Sequence, residues 1–184
     1  TLGGHPVVVT DSVGLALQIG REPGLPTRRR LPTTIPLTAG ELPGQPYHIR
    51  LGYTREGQPV DLDLAGEHRA ILVGGTSGGG KTNFMQAVLI QLAAQHPPTE
   101  LQLAVADPKM LDFPPYAGLP HLFKPIAYEL DECAALIEQV AAEMAQRTIL
   151  LRAAGVSRWE EYNQTGLEPL PLLVLIVDEV ADLA

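Results

Sequence analysis

The pattern of apolar and polar positions changes part-way along the chain. Short apolar runs at residues 7–9 and 15–19 are followed by a stretch rich in proline and glycine, which excludes long helices there. The segment 47–64 alternates apolar with polar residues on both sides of a turn at Gly57, as a β-hairpin with one buried face does. We therefore predict a small β-rich subdomain over residues 1–65.

From residue 66 onwards, apolar strands alternate with helical segments, which is the signature of a parallel sheet joined by crossover helices. The predicted strands span residues 69–74, 101–106 and 172–177. The last of them is an unbroken apolar run, as expected of a strand that is buried on both faces. These features predict an α/β core over residues 66–184.

Helices are predicted in the segments between these strands. The first begins at Thr82 and ends before Pro97, with an apolar face made of Phe84, Met85, Val88, Leu89, Leu92 and Ala93. The second runs from an N-cap at Asp131 to a stop at Gly155. Its predicted inner face consists of Leu136, Ile137, Val140, Met144, Thr148 and Leu151. A short third helix ends at Tyr162.

Composition narrows the class of protein. The formal net charge is −8, from 13 Lys+Arg and 21 Asp+Glu, which excludes a surface that binds nucleic acid throughout. The single cysteine, Cys133, is predicted to be a small core residue in a reducing, cytoplasmic environment. No apolar run approaches the length of a membrane span. Because the chain starts at Thr1 without a methionine, we expect an excised portion of a longer protein, which could itself be membrane-anchored.

A glycine-rich stretch follows the strand at 69–74 directly. Four residues separate Gly75 from Gly80-Lys81-Thr82, which satisfies the Walker A pattern of phosphate-binding loops. Glycines let successive backbone N–H groups surround a phosphate chain, and the following helix directs its positive end at the same anion. A flexible linker would not lie between an apolar strand and an amphipathic helix. The predicted nucleotide-binding residues are Gly75, Thr76, Ser77, Gly78, Gly79, Gly80, Lys81 and Thr82.

A second motif completes the predicted chemistry. In the P-loop, Lys81 is expected to contact the β/γ-phosphates of ATP, and the hydroxyl of Thr82 to bind Mg²⁺. The strand at 172–177 runs directly into Asp178-Glu179, which is the Walker B arrangement. We predict that Asp178 binds the same Mg²⁺ and that Glu179 polarises the attacking water. The alternative, a buried strand that ends in two solvated acids, is disfavoured by the P-loop. Lys81 and Glu179 are therefore the predicted catalytic residues.

Together these motifs resemble the motor domain of the FtsK/SpoIIIE family of DNA translocases. Besides the P-loop, the matching runs are Asp107-Pro108-Lys109-Met110-Leu111, Gly118-Leu119-Pro120-His121-Leu122 and Val177-Asp178-Glu179-Val180-Ala181-Asp182-Leu183. The resemblance covers residues 57–184, whereas residues 1–56 match only as the kind of β-rich region that precedes the core in this family. Gly79 and Thr82 stand where many members have serine, and Thr82 keeps the hydroxyl.

The resemblance implies a RecA-like P-loop ATPase that forms a hexameric ring around double-stranded DNA and moves along it by hydrolysing ATP with Mg²⁺. It also implies that the pore-lining residues, an arginine acting in trans and further core strands follow residue 184. We therefore expect a core that is incomplete at its C-terminus, DNA contacts mainly outside this chain, and little or no ATPase activity from this chain alone. Chromosome segregation, conjugation and phage packaging all stay open as the host process.

Three other interpretations fit a P-loop. One is the related secretion ATPase that moves protein substrates through a type VII system, although Asp107-Pro108-Lys109 and the run 119–122 favour the DNA-pumping branch. Another is a non-hydrolysing nucleotide-binding assembly module, which intact Lys81, Asp178 and Glu179 disfavour. The third is a small-molecule kinase or GTPase, and the N-terminal hairpin fits it poorly.

Overall fold

The computed structural model separates the chain into two units, Thr1–Gln95 and His96–Ala184. The boundary predicted between residues 65 and 66 stays a prediction. The residues that the structure describes are 7–10, 16–19, 42–54, 56–66, 69–76 and 79–179. Among them, no helix combines the length and the apolarity that are needed to cross a membrane.

In chain order, the strands and helices alternate much as the apolar pattern predicts. The first unit contains β1 (Val7–Thr10), β2 (Ala16–Ile19), β3 (His48–Tyr53), β4 (Pro59–Asp63), β5 (Leu72–Gly74) and α1 (Lys81–Gln95). The second contains β6 (Leu101–Ala106), a 3-10 helix (Pro114–Tyr116), α2 (Leu130–Ala153), α3 (Trp159–Tyr162) and β7 (Leu172–Val177).

The described residues of the first unit form two antiparallel sheets. One has the strand order β2-β1-β5, and the other is the β3-β4 hairpin. The hairpin predicted from the alternation at residues 47–64 is confirmed, and the buried residues Ile49 and Leu62 face each other across it. The register shifts between Arg50 and Gly52, so the hairpin contains a bulge.

The strand before the P-loop is shorter than predicted. It begins at Leu72 instead of residue 69. It also pairs antiparallel with β1, so the prediction that this strand belongs to the parallel sheet is wrong for the described residues. In the preceding turn, the Asp63 carboxylate accepts the N–H groups of Ala65 and Gly66, both at 2.9 Å. The Nε of Arg69 donates to the Gly66 carbonyl at 3.1 Å. Leu72 pairs with Thr10, the last residue of β1, so residues 69–71 lie beyond the end of the partner strand.

Helix α1 is joined to the hairpin by two amide side chains. Gln91 Oε1 accepts the N–H of Arg50 at 2.7 Å, and Gln91 Nε2 donates to the Arg50 carbonyl at 3.2 Å. Gln95 Nε2 donates to the His48 carbonyl at 3.1 Å. Gln91 thereby satisfies backbone groups of β3 as a neighbouring strand would. It is only 6% exposed, although its polarity kept it out of the predicted apolar face.

The second unit is built on a parallel pair of strands. β6 and β7 are paired in register along their whole length. The segment after β6 returns to the same strand, where Leu122 and Ala127 form isolated parallel bridges. Parallel pairing places the carboxyl ends of both strands at one edge, which is the ligand-binding edge of open α/β sheets.

The N-terminal half of α2 covers one face of this pair. Cys133, Leu136 and Val140 are buried against small residues of β6 and apolar residues of β7, namely Ala104, Ala106, Leu173, Leu175 and Val177. The helix has 24 residues and so spans about 36 Å, whereas the six-residue strands span about 20 Å. The predicted inner face is therefore wrong at Met144, which is 63% exposed, and at Thr148, because the helix outruns the strands.

The predicted N-cap of α2 at Asp131 is also wrong. The helix starts at Leu130 and its N-cap is Glu129. Glu132, three residues after this N-cap, accepts the Glu129 N–H with its Oε2 at 3.2 Å, which is the backbone-capping half of a capping box. The side chain of Glu132 therefore determines where the helix starts, because it caps the backbone two residues before Asp131. The predicted stop is confirmed, because Gly155 has a φ of +72° just after the last turn.

Replacing Gln91 with alanine should lower the free energy of unfolding by about 1–3 kcal/mol, because half-buried backbone groups of Arg50 would lose their partner. Gln139→Ala is the matched control, since Gln139 is exposed on α2 and its loss should change stability by less than about 0.5 kcal/mol. Urea denaturation followed by circular dichroism measures both. Equal stability of the two variants would contradict the contact between α1 and the hairpin.

Cys133 should be unreactive in the folded protein. Its side chain is fully buried, its Sγ donates to the Ala127 carbonyl at 3.5 Å, and burial raises the pKa of the thiol. Near pH 8 the neutral thiol therefore predominates over the reactive thiolate. An aromatic disulfide reagent should label Cys133 much more slowly in the native protein than in urea. Fast labelling without denaturant would place this thiol outside the core.

Candidate functional site

The P-loop joins β5 to α1 in the first unit. The structure describes its residues Gly75, Thr76, Gly79 and Gly80, while Ser77 and Gly78 lie outside the described residues. The Gly79 N–H donates to the Thr76 carbonyl at 2.9 Å. Gly80 has a φ of +95°, in the region that favours glycine. The chain therefore needs glycine at the point where the loop becomes a helix.

Lys81 lies over this loop. Its Nζ donates to the carbonyls of Gly75 at 2.8 Å and Thr76 at 3.1 Å. The first turn of α1 contains no acidic residue, so its positive end is not neutralised there. A lysine ammonium and a helix N-terminus at one loop favour an anion with several oxygens, such as a phosphate chain. Thr82 brings a half-buried hydroxyl to the same end of the helix.

Four acids lie at or near the carboxyl end of the parallel strands in the second unit. We call them the acidic edge: Asp107, Asp112, Asp178 and Glu179. Asp107 follows β6 directly, and Asp178 follows β7 directly. The Asp178 N–H donates to the Ala106 carbonyl at 3.0 Å, so the strand pairing continues up to this acid. The edge where ligands bind in open α/β sheets is thus lined by carboxylates.

Asp107 shapes the loop that follows β6. It is fully buried, and its Oδ2 accepts the N–H groups of Asp112 at 3.2 Å and Phe113 at 3.1 Å. Its carbonyl accepts the Met110 N–H at 3.0 Å, and Met110 has a φ of +52°. Phe113 is also fully buried, so the loop is anchored at both ends. Oδ1 of Asp107 is buried and has no hydrogen-bond partner within the described part of the chain.

Asp178 is a buried carboxylate with a weakened acidity. Only 6% of the residue is exposed, and burial raises the pKa of this carboxyl group. The Glu179 N–H, which donates to Asp178 Oδ1 at 2.9 Å, opposes that rise. The negative charges of Asp107, Glu179 and Asp112 add to it. A cation at this position would offset both the burial and the repulsion from the neighbouring acids. This fits the predicted role of Asp178 as a ligand of Mg²⁺.

Glu179 forms an ion pair with Lys109 across the ends of the two strands. Lys109 Nζ lies 2.7 Å from Glu179 Oε1, and the two side chains are 44% and 35% exposed. A pair at this exposure adds only about 0–1 kcal/mol to stability. Glu179 also has a φ of +51°, and a left-handed backbone costs a non-glycine residue roughly 1–2 kcal/mol. Such conformations persist where neighbouring groups impose them, often at functional sites.

The structure places the predicted residues in two groups. Lys81 and Thr82 lie at one helix end in the first unit, and Asp178 and Glu179 lie at one sheet edge in the second. Their chemical roles stay predictions. Within the described ranges, no group of three or more His, Cys, Asp or Glu side chains is arranged to hold a metal ion. Mg²⁺ commonly uses one or two carboxylates together with water and phosphate oxygens, so few protein ligands suffice.

The residues characteristic of the FtsK/SpoIIIE family match positions 43–184. This chain belongs to the FtsK/SpoIIIE family. The match begins earlier than residue 57, where the sequence resemblance was expected to start, and so includes the β3-β4 hairpin. FtsK/SpoIIIE proteins are P-loop ATPases, and nucleotide binding follows from membership of the family.

Similar FtsK/SpoIIIE proteins come from several bacteria. DNA translocase FtsK of Helicobacter pylori strain J99 is 34% identical over 142 residues, which are 75% of this chain and 17% of that protein. DNA translocase SftA of Bacillus subtilis is 34% identical over 143 residues, 75% of this chain and 15% of that protein. FtsK of Campylobacter jejuni strain 81-176 is 36% identical over 142 residues, which are 75% of this chain and 15% of that protein. The chain thus spans at most 17% of the length of these relatives.

Solved structures confirm the predicted P-loop ATPase fold. The cytoplasmic domain of the type VII secretion ATPase EccC from Thermomonospora curvata superposes with a TM-score of 0.61 at 23% identity, over 79% of this chain and 19% of that one. The pCW3 conjugation coupling protein TcpA, solved with ATPgS, gives a TM-score of 0.58 at 22% identity, over 83% of this chain and 41% of that one. At such identities the likeness shows the fold alone.

Gly80→Ala should weaken ATP binding at least about tenfold, because a side chain at a φ of +95° costs roughly 1–2 kcal/mol and displaces the loop. Gly155→Ala is the matched control. It introduces the same kind of strain at a φ of +72°, at the C-terminus of α2. Titration with a fluorescent ATP analogue should show weaker binding for Gly80→Ala alone. If both variants bound as the wild type does, the P-loop assignment would be wrong.

Proposed function

We propose that this chain is part of a motor that hydrolyses ATP to move double-stranded DNA and that works as a hexameric ring. The observation that supports this most is its similarity to proteins named DNA translocases, at 34–36% identity over 75% of the chain. The P-loop and the acidic edge supply the residue types that ATP hydrolysis needs. Because the chain spans at most 17% of these relatives, DNA movement and ring assembly are proposed for the whole protein.

Lys81 and the P-loop amides are proposed to bind the phosphate chain of ATP. The Lys81 ammonium donates to the carbonyls of Gly75 and Thr76, the first two residues of the loop. Contact with β/γ-phosphates would exchange these neutral acceptors for charged ones, which form stronger hydrogen bonds. Thr82 and Asp178 are proposed as the protein ligands of Mg²⁺, since a hydroxyl and a carboxylate are the oxygen donors it prefers. The ion would neutralise charge on the phosphates.

Glu179 is proposed to activate the attacking water. A carboxylate that accepts a proton from water, or orients it, must lie within hydrogen-bond reach of that water. Glu179 follows directly on the proposed metal ligand, and its backbone N–H donates to that ligand's Oδ1 at 2.9 Å. One short segment therefore carries both acids, and a shift of one would move the other.

Contacts with DNA are proposed to lie mainly in parts of the protein outside this chain. The formal net charge of −8 opposes binding of a polyanion by the chain as a whole. The acidic edge accounts for part of this charge, and it suits cations better than DNA phosphates. The proposal therefore assigns nucleotide chemistry to these residues and DNA contacts to others.

The three other interpretations gain little support. EccC has the same fold, but 23% identity carries nothing about substrate, whereas the sequence relatives at 34–36% are named DNA translocases. A non-hydrolysing module binds nucleotide without activating water, so it does not require a carboxylate such as Glu179 beside Asp178. A small-molecule kinase or GTPase does not account for a family match that includes the hairpin before the P-loop.

A triplex-displacement assay tests movement on DNA. A third strand is bound to duplex DNA at a distance from the site where the whole protein loads, and its release is followed with time. ATP-dependent release by the wild type, and none by Lys81→Ala, is the expected result. Hydrolysis of ATP without release of the third strand would contradict the proposed movement on DNA.

Glu179→Gln should slow ATP hydrolysis at least about 100-fold and leave ATP binding intact, because it removes the proposed base and keeps the size of the side chain. Glu138→Gln is the matched control, since Glu138 is exposed on α2 and should have no effect. Steady-state turnover and ATP affinity are measured for both variants. Unimpaired turnover of Glu179→Gln would assign the base elsewhere.

Asp178→Asn should instead weaken binding of ATP in the presence of Mg²⁺ and have less effect without it. The substitution removes the buried negative charge that is proposed to contact the ion. Comparing ATP affinity with Mg²⁺ and with a chelator separates the two effects. If Asp178→Asn and Glu179→Gln gave the same binding curves, the division of roles between them would be wrong.

A further inference from the structure

Lys109 lies in a turn directly after β6. Lys109 follows Pro108, whose φ is fixed by its ring, and precedes Met110, which has a φ of +52°. The turn is closed by the hydrogen bond from the Met110 N–H to the Asp107 carbonyl at 3.0 Å. The side chains of Asp107 and Phe113, on either side of this turn, are fully buried. Lys109 therefore projects from an exposed turn that is anchored at both ends.

The partner of Lys109 is Glu179, which is held in place just after β7. Glu179 is one residue beyond Asp178, whose N–H extends the pairing of β7 with β6 at 3.0 Å from the Ala106 carbonyl. The Glu179 N–H is bound to Asp178 Oδ1, and its φ is +51°. Of the non-glycine residues with a positive φ in the described ranges, Glu179 belongs to this ion pair and Met110 follows its other member, Lys109. Two unusual backbone conformations thus bring Lys109 Nζ to 2.7 Å from Glu179 Oε1.

We propose that Lys109 is a positioning residue for ATP hydrolysis, which holds the carboxylate of Glu179 in the orientation required to activate water. The inference rests on the proposed role of Glu179. The ammonium of Lys109 binds Oε1 and restricts rotation of a side chain that is otherwise long and about one-third exposed. Lys109 acts through Glu179 and is proposed to contact neither the proton nor the phosphate.

Because the ion pair is exposed, a role in catalysis can be distinguished by experiment from a role in stability. Ion pairs exposed to this degree contribute little to folding, so loss of the ammonium should leave the unfolding midpoint nearly unchanged. Misplacement of a catalytic group by about 1 Å, by contrast, can cost about 100-fold in rate. A charge at this position therefore matters to turnover more than to stability.

The chain offers a matched control for the removal of a lysine. Its lysines are Lys81, Lys109 and Lys124. Lys124 belongs to the same unit as Lys109 and is exposed, with its ammonium 5.5 Å from the centre of the Phe123 ring. Lys124→Met removes the same charge and keeps a similar side-chain volume. It should change neither turnover nor ATP affinity.

The test compares Lys109→Met, Lys109→Arg, Lys124→Met, Glu179→Gln and Lys109→Met/Glu179→Gln in the whole protein. Lys109→Met should lower kcat about 10- to 100-fold and leave the Kd for ATP within about twofold of the wild type. Lys109→Arg keeps a cation for Glu179 and should recover much of the lost rate. Single-turnover hydrolysis by the double variant should be no slower than by Glu179→Gln alone, because Lys109 acts through the group already removed.

Three results would overturn the role of Lys109 while the role of Glu179 stood. They are an unchanged kcat of Lys109→Met, a further loss in the double variant as large as the loss in Lys109→Met alone, and a loss of ATP affinity comparable to that of Lys81→Ala. The last of these would indicate that Lys109 binds the phosphates directly. If Glu179→Gln hydrolysed ATP as fast as the wild type, the proposed role of Glu179 would fail first, and that of Lys109 with it.

Discussion

Parallel pairing of β6 with β7 determines where the chemistry of the second unit lies. The two strands are in register over their full length, and the Asp178 N–H adds one more bond of the same kind at 3.0 Å. The two strands therefore end at the same edge of the sheet, and each is followed directly by an aspartate. A shift of β7 by one residue would move Asp178 away from Asp107 and turn the side chains of the strand to the opposite face. The acidic edge depends on this register.

Like charges at one sheet edge need compensation, and the backbone supplies much of it. Asp107 binds two N–H groups of its own loop, and Asp178 binds the N–H of Glu179. Lys109 is the cation that the structure pairs with Glu179. Burial raises the pKa of Asp178 despite the hydrogen bond that this carboxylate accepts. The Mg²⁺ proposed to bind Asp178 would offset both the burial and the repulsion from the neighbouring acids.

The parts that follow from local patterns could be predicted from the sequence. The hairpin, the P-loop helix, the stop at Gly155 and the strands that end in Asp107 and Asp178 depend on periodicity, glycine and chain order. The parts that depend on contacts between distant residues could not. From the sequence, Gln91 is expected to face solvent, because nothing local indicates that the edge of β3 lies beside it. The pairing of Lys109 with Glu179 joins residues far apart in sequence, and its only local signal is that both follow the ends of strands.

The P-loop and the acidic edge are proposed to serve an ATPase that duplex DNA stimulates. Steady-state ATP hydrolysis by the whole protein, measured with and without duplex DNA, tests this proposal. Duplex DNA should stimulate hydrolysis by the wild type, and Glu179→Gln should remove both the basal and the stimulated activity while ATP still binds. Hydrolysis by the wild type at the same rate with and without duplex DNA would contradict the proposal.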